Sequence, residues 1–125
     1  GFVPSAITVG ASTEKDEREA SSNFGNCLDL FAPGANIKTA DILSDTGYVS
    51  VTSTSVAAAH VAGATAVALA ADPTKTAKEI TTQLMRNAAD GAMVGDMNGA
   101  PNKLLRVDLT ATPQKVELTA TPQKA

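Results

Sequence analysis

The sequence has no tryptophan, a single cysteine, a single histidine, and only three phenylalanines and one tyrosine. With so few rings, any core must be built from Ala, Val, Leu and Ile. The one cysteine, Cys27, excludes an internal disulfide and a Cys-rich metal site. It leaves two readings, a buried small hydrophobe or half of a bridge whose partner lies elsewhere. Charge is also sparse and nearly balanced, 10 basic against 13 acidic residues for a net −3, with no basic patch. That excludes the electrostatic footprint of nucleic-acid binding. The opening Gly1-Phe2-Val3-Pro4 has neither a Met nor a basic start, so no signal peptide is visible, and it reads as the interior of a longer protein. What is present is a 43% hydrophobic, 125-residue chain, enough for one domain or part of one.

The longest apolar stretch is residues 56–71, almost all Ala, Val and Gly. Its 16 residues, interrupted by His60, Gly63 and Thr65, fall short of the ~20 that span a bilayer. A helix apolar on every side reads instead as the buried centre of a domain. The cluster Thr52-Ser53-Thr54-Ser55 runs straight into it. Ser55 is placed at the helix start, where a hydroxyl satisfies orphan backbone amides and the helix dipole favours negative charge. A nucleophile there has oxyanion donors beside it, which acyl transfer requires. By spacing alone, a plain helix cap is the simpler reading.

Around this helix the chain divides into short elements. Residues 6–11 read as a buried strand, residues 14–19 as a solvated charged loop, and residues 27–31 as a second strand stopped by Ala32-Pro33-Gly34. Residues 37–40 suggest a third strand, and Tyr48-Val49-Ser50-Val51 is a β-branched run leading to the serines. Asp72-Pro73 ends the apolar helix. Thr76-Ala77-Lys78-Glu79 has capping-box spacing, and Ala77, Ile80, Leu84 and Ala88 predict a surface helix over 77–89. A glycine-containing loop over 91–101 leads to a last short element at 102–107. Residues 107–115 recur as 116–124, and the Thr/Pro content of this tail reads as an extended linker over 109–125.

Strands followed by a helix that starts at a serine predict an α/β fold. At this point four blocks become recognisable in order. Ser53-Thr54-Ser55-Val56-Ala57-Ala58-Ala59-His60-Val61-Ala62-Gly63 resembles the nucleophile motif of the subtilisin-like serine proteases, G-T-S-M-A-x-P-H-V-A-G. Residues 6–11 are similar to the family's A-I-T-V-G-A strand, residues 22–34 to S-N-F-G-x-C-V-D-L-F-A-P-G, and Asn102-Lys103-Leu104-Leu105 to the closing N-x-L-L. The likeness covers about residues 1–108 and is nearest to the proteinase K branch. It implies the C-terminal portion of a parallel-sheet catalytic domain.

The resemblance implies that Ser55 is the catalytic serine of an endopeptidase and that its own amide is an oxyanion donor. The Asp, His and oxyanion Asn blocks precede residue 6 in the family, so the isolated chain is expected to be inactive and to need the N-terminal part of the same domain as its partner. His60 corresponds to a structural histidine. Five helical residues put it ~7.5 Å along the axis and ~140° around from Ser55, unsuited to a catalytic base. Three positions depart from the motif: Ser53 for Gly, Val56 for Met and Ala59 for Pro. The departures are expected to affect the helix start through backbone conformation, rigidity and packing. The chemistry requires no cofactor. The resemblance does imply a structural calcium held by the carbonyls of Pro4 and Ala6 and the carboxylate of Asp29, oxygen donors that suit calcium; the alternative for Asp29 is a turn-anchoring carboxylate. It also implies an upstream cysteine partner for Cys27 and a secreted protein acting on polypeptides, with no nucleic-acid or membrane partner. The rival class is a noncatalytic relative that only binds.

Overall fold

The computed structural model describes residues 3 and 5–107. Along the chain run β1 (Val9–Ser12), β2 (Leu30–Pro33), β3 (Ile37–Ala40), β4 (Tyr48–Val51), α1 (Thr54–Ala71), α2 (Ala77–Asn87), β5 (Ala89–Asp90) and β6 (Lys103–Leu104). Four strands form one sheet in the order β1-β2-β6-β5, and β3 and β4 form a separate antiparallel hairpin. β1 pairs parallel with β2, β2 parallel with β6, and β5 antiparallel with β6. The chain is therefore α/β, as its patterning predicts.

Parallel strands need cover on both faces, and apolar side chains provide it here. Val9, Ala11, Leu30 and Ala32 pack against Ala57, Val61, Ala64 and Ala68 of α1 and Ile80 and Leu84 of α2. On the other face Leu28 and Phe31 meet Met93 and Met97. The rings that the sequence lacks are not missed, because Ala on α1 lets that helix lie close to the sheet. Phe31 is one of the two largest fully buried side chains, and it needs Gly10 opposite, where an added Cβ would lie 2.5 Å from the ring. β1 thus carries Gly10 inside it and runs over Val9–Ser12, three residues later than the start of the buried strand expected over 6–11.

The apolar helix is 18 residues long, and by length and composition it would suffice to cross a membrane. Here Ala57, Val61, Ala64 and Ala68, at helical spacing, are its buried stripe. The expected buried centre is realised on that stripe alone; Val67 and Leu69, 37% and 38% accessible, face away from it.

α2 begins at the expected capping box. The Glu79 amide donates to Thr76 Oγ1 at 3.3 Å, and the Thr76 amide donates to Glu79 Oε2 at 2.8 Å. Ile80, Leu84 and Ala88 are buried, whereas Ala77 is exposed. The helix stops at Asn87, before the expected residue 89, because Ala89 is drawn into pairing with Leu104.

β2 starts later than expected and continues through Pro33, so Ala32-Pro33-Gly34 is the strand's end and not its stop. In the charged loop, Arg18 is only half exposed. Its Nη1 donates to the carbonyls of Glu19, Ala20 and Ser22, so this segment is anchored as well as solvated. Cys27 is free and exposed, which overturns the buried-hydrophobe reading. The tail expected to be a linker, residues 109–125, lies outside the described residues.

Candidate active site

The helix start is fixed by the end of the sheet. The Gly34 amide donates to the Ser12 carbonyl at 3.1 Å, and the Ser53 amide donates to the Gly34 carbonyl at 2.8 Å. Two backbone bonds thus tie the end of β1 to the residue that starts α1. Gly34 is required at this crossing: an added Cβ would lie 2.6 Å from Ala11 Cβ and 2.9 Å from the Ser53 carbonyl oxygen.

Ser53, not Ser55, is the N-cap. The two serines are equally suited by type, and the bond to Gly34 selects the first. Ser53 has φ −170° and ψ 147°, extended backbone that any residue adopts, so serine in place of glycine strains nothing here. Its carbonyl accepts from the Val56 amide at 3.2 Å and the Ala57 amide at 3.3 Å. Its Oγ accepts from the Ser55 amide at 3.1 Å. The Ser55 amide, expected as an oxyanion donor, is therefore already hydrogen-bonded to the cap.

Ser55 lies in the first turn of α1 and is exposed. It borders a groove of about 310 Å³ lined by Ala6, Ile7, Thr8, Val9 and, from α1, Thr54 and Ala58, as well as by Val3. A larger cleft of about 530 Å³ runs along α2 past Lys75, Lys78 and Arg86, but it holds no serine or histidine. Of these two, the groove at Ser55 is the one that offers a hydroxyl nucleophile. Val56 is half buried next to Ser55. Ala59 falls in the second helical turn and not the first, so its amide faces the Ser55 carbonyl four residues back.

His60 is half buried, and its Nδ1 lies 3.0 Å from the Val56 carbonyl oxygen. A carbonyl only accepts, so Nδ1 carries the proton. The ring is tied to its own helix, one turn back.

Of the expected calcium donors, Ala6 lines the groove and Asp29 does not. Ala6 is exposed on its wall, and Pro4 lies outside the described residues. Asp29 Oδ2 accepts from the Thr8 amide at 2.7 Å, while the Asp29 amide donates to the Thr8 carbonyl at 2.9 Å. This is the geometry of an anchoring carboxylate joining the approaches to β1 and β2. Calcium takes about 6–8 oxygens, and among the described residues no three His, Cys, Asp or Glu side chains gather.

Sequence reasoning missed three residues that build this site. Ser53 was hidden by its neighbour Ser55. Gly34 read as a turn residue. Ser22, 4% accessible, accepts from the Ala11 amide through its Oγ at 2.9 Å and so braces β1 from outside the sheet.

Similarity to known proteins extends over most of the chain. The subtilase family, peptidase S8, is matched over residues 2–108. An extracellular serine proteinase of Thermus sp. (strain Rt41A) is 42% identical over 103 residues, covering 82% of this chain and 25% of that protein. Alkaline serine exoprotease A of Vibrio alginolyticus is 39% identical over 103 residues, covering 82% of this chain and 19% of that protein. A crystal structure of a cold adapted subtilisin-like serine proteinase aligns with TM-score 0.77 at 42% identity, covering 82% of this chain and 36% of that one. The chain spans about a quarter or less of the length of these two curated relatives. On the strength of the match over residues 2–108 and of the shared fold, the chain belongs to the subtilase family.

Proposed function

We propose that this chain is the nucleophile-bearing C-terminal portion of a serine endopeptidase domain. The observation that carries the reading is Ser55: exposed, in the first turn of α1, beside a groove, and inside the region matched by serine proteinases. Ser55 Oγ attacks the carbonyl carbon of a bound peptide, and its proton passes to an imidazole. The carbonyl electron pair moves to oxygen, which becomes the oxyanion. Collapse of this intermediate expels the amine, which takes the proton from the imidazolium and leaves an acyl-serine ester. Water, deprotonated by the same imidazole, then releases the acid and restores Ser55.

His60 is not that imidazole: five residues further along α1, it lies ~7.5 Å along the axis and ~140° around from Ser55, and its Nδ1 is tied back to its own helix at Val56. In the subtilisin arrangement the order along the chain is Asp, His, Ser, so base and orienting carboxylate come from a preceding segment. The relative named extracellular supports a secreted parent acting on polypeptides. No cofactor enters the chemistry. A calcium held by Pro4, Ala6 and Asp29 would only brace the strand approaches.

The test is labelling with a fluorophosphonate, followed by mass spectrometry of the adduct. In the complete catalytic domain the label is expected on Ser55 and is lost in Ser55→Ala. The isolated 125-residue chain is expected to stay unlabelled, because a serine hydroxyl without a base is a poor nucleophile. Ser55-dependent peptidase activity from the isolated chain would overturn the claim that the base comes from elsewhere. A second reading, a noncatalytic binding protein, is favoured by the engaged Ser55 amide, and absence of label from the complete domain would establish it.

A further inference from the structure

The Ser53–Ser55 contact bears on how fast such a site can work. An oxyanion forming on a carbonyl attacked by Ser55 needs hydrogen-bond donors close by. The Ser55 amide is the backbone donor on the attacking residue itself, and it already donates to Ser53 Oγ at 3.1 Å. The amides of Val56 and Ala57 are turned to the Ser53 carbonyl and point into the helix. We propose that Ser53 is a positioning residue that occludes the oxyanion donor. Its hydroxyl holds the Ser55 amide in the resting site and must rotate away before the amide can meet the oxygen of the tetrahedral intermediate. This inference rests on the endopeptidase reading and specifies how that site is held back.

The geometry allows the rotation. Ser53 is half exposed, its backbone is extended, and its position is set by the backbone bond to Gly34, with no demand on the side chain. Turning the hydroxyl therefore leaves the helix start in place. The neutral cap bond is exchanged for a charge-assisted one to the oxyanion, which is the stronger of the two. The exchange occurs as charge develops, so the barrier that the cap adds falls on kcat and leaves substrate binding alone. Removing a bond of this kind changes a rate by about 2- to 10-fold.

The experiment compares the complete catalytic domain with its S53G, S53A and S53T variants. It measures kcat and KM separately on a peptide amide, and acylation by a fluorophosphonate. S53G and S53A are expected to raise kcat by about 2- to 10-fold with KM unchanged, while S53T, which keeps a hydroxyl, stays at the starting value. Glycine is nearly as good an N-cap as serine, so S53G separates the effect from helix fraying. Unchanged kcat in S53G and S53A would overturn the inference and leave the endopeptidase reading standing. A fall in both would overturn it too, and would assign the hydroxyl to the oxyanion itself. If Ser55 is acylated in none of the four proteins, the endopeptidase reading fails, and the occlusion fails with it.

Discussion

The Ser53 amide donates to the Gly34 carbonyl at 2.8 Å, and through that bond the end of the sheet sets where the helix bearing Ser55 begins. The contact is close enough that position 34 has no room for a side chain. Gly34→Ala must push the Ser53 carbonyl or the Ala11 side chain aside. The expected loss is about 1–3 kcal/mol, the usual range for overpacking. A urea titration reads it as a lower midpoint at constant slope, and an unmoved midpoint would refute the crowding argument.

The cap itself has a measurable worth. Ser53→Ala removes the acceptor of the Ser55 amide and is expected to destabilise by about 0.5–2 kcal/mol, while Ser53→Gly costs a few tenths at roughly that same scale. Thermal unfolding of the two variants side by side checks the order. Equal losses would mean that the hydroxyl does not cap α1.

Ser22 offers a buried counterpart. Its Oγ accepts from the Ala11 amide and donates to the Asn23 carbonyl at 2.9 Å. Ser22→Ala leaves a buried strand amide without that partner, an expected cost of about 1–3 kcal/mol. Amide exchange at Ala11 should speed up in the variant. Unchanged exchange there would remove Ser22 from the support of β1.

The two ends of the α1–α2 connection respond to acid. Hydrogen bonds from the Thr76 backbone and side chain hold the Glu79 carboxyl below its ordinary 4.5, and those from the Thr74 side chain and backbone hold Asp72 below 3.8. A carboxyl lowered by folding contributes fully above its unfolded-state value, and the contribution fades as pH falls through the lower folded-state value. The chain should therefore lose stability as pH drops below the ordinary carboxyl range. Glu79→Gln should flatten part of that slope, and Asp72→Asn a further part. Denaturant midpoints over a pH series give the answer, and identical slopes in all three proteins would contradict it.

The elements most legible in the sequence were those whose local chemistry already agrees with their surroundings. Residues 37–40 and 48–51 are paired strands at the expected bounds, because each is a short run with β-branched residues set between turn residues. The box at Thr76 and Glu79 was legible because both partners lie within one turn. What escaped was set at a distance. β5 is two residues long and exists only by pairing with β6, which realises just Lys103–Leu104 of the element expected at 102–107. The choice of Ser53 over Ser55 as cap depends on Gly34, 19 positions earlier, and no local pattern carries it. Family membership was legible through motif order, while the Ser53 hydroxyl bonded to the Ser55 amide was visible only in the fold.

One feature of the sheet ties shape to timing. β1 is the terminal strand in the order β1-β2-β6-β5, and Val9, on that strand, also lines the groove at Ser55. A strand that docked along β1 would extend the sheet and wall the groove in one movement. Extending the sheet and enclosing the groove would then be a single folding event.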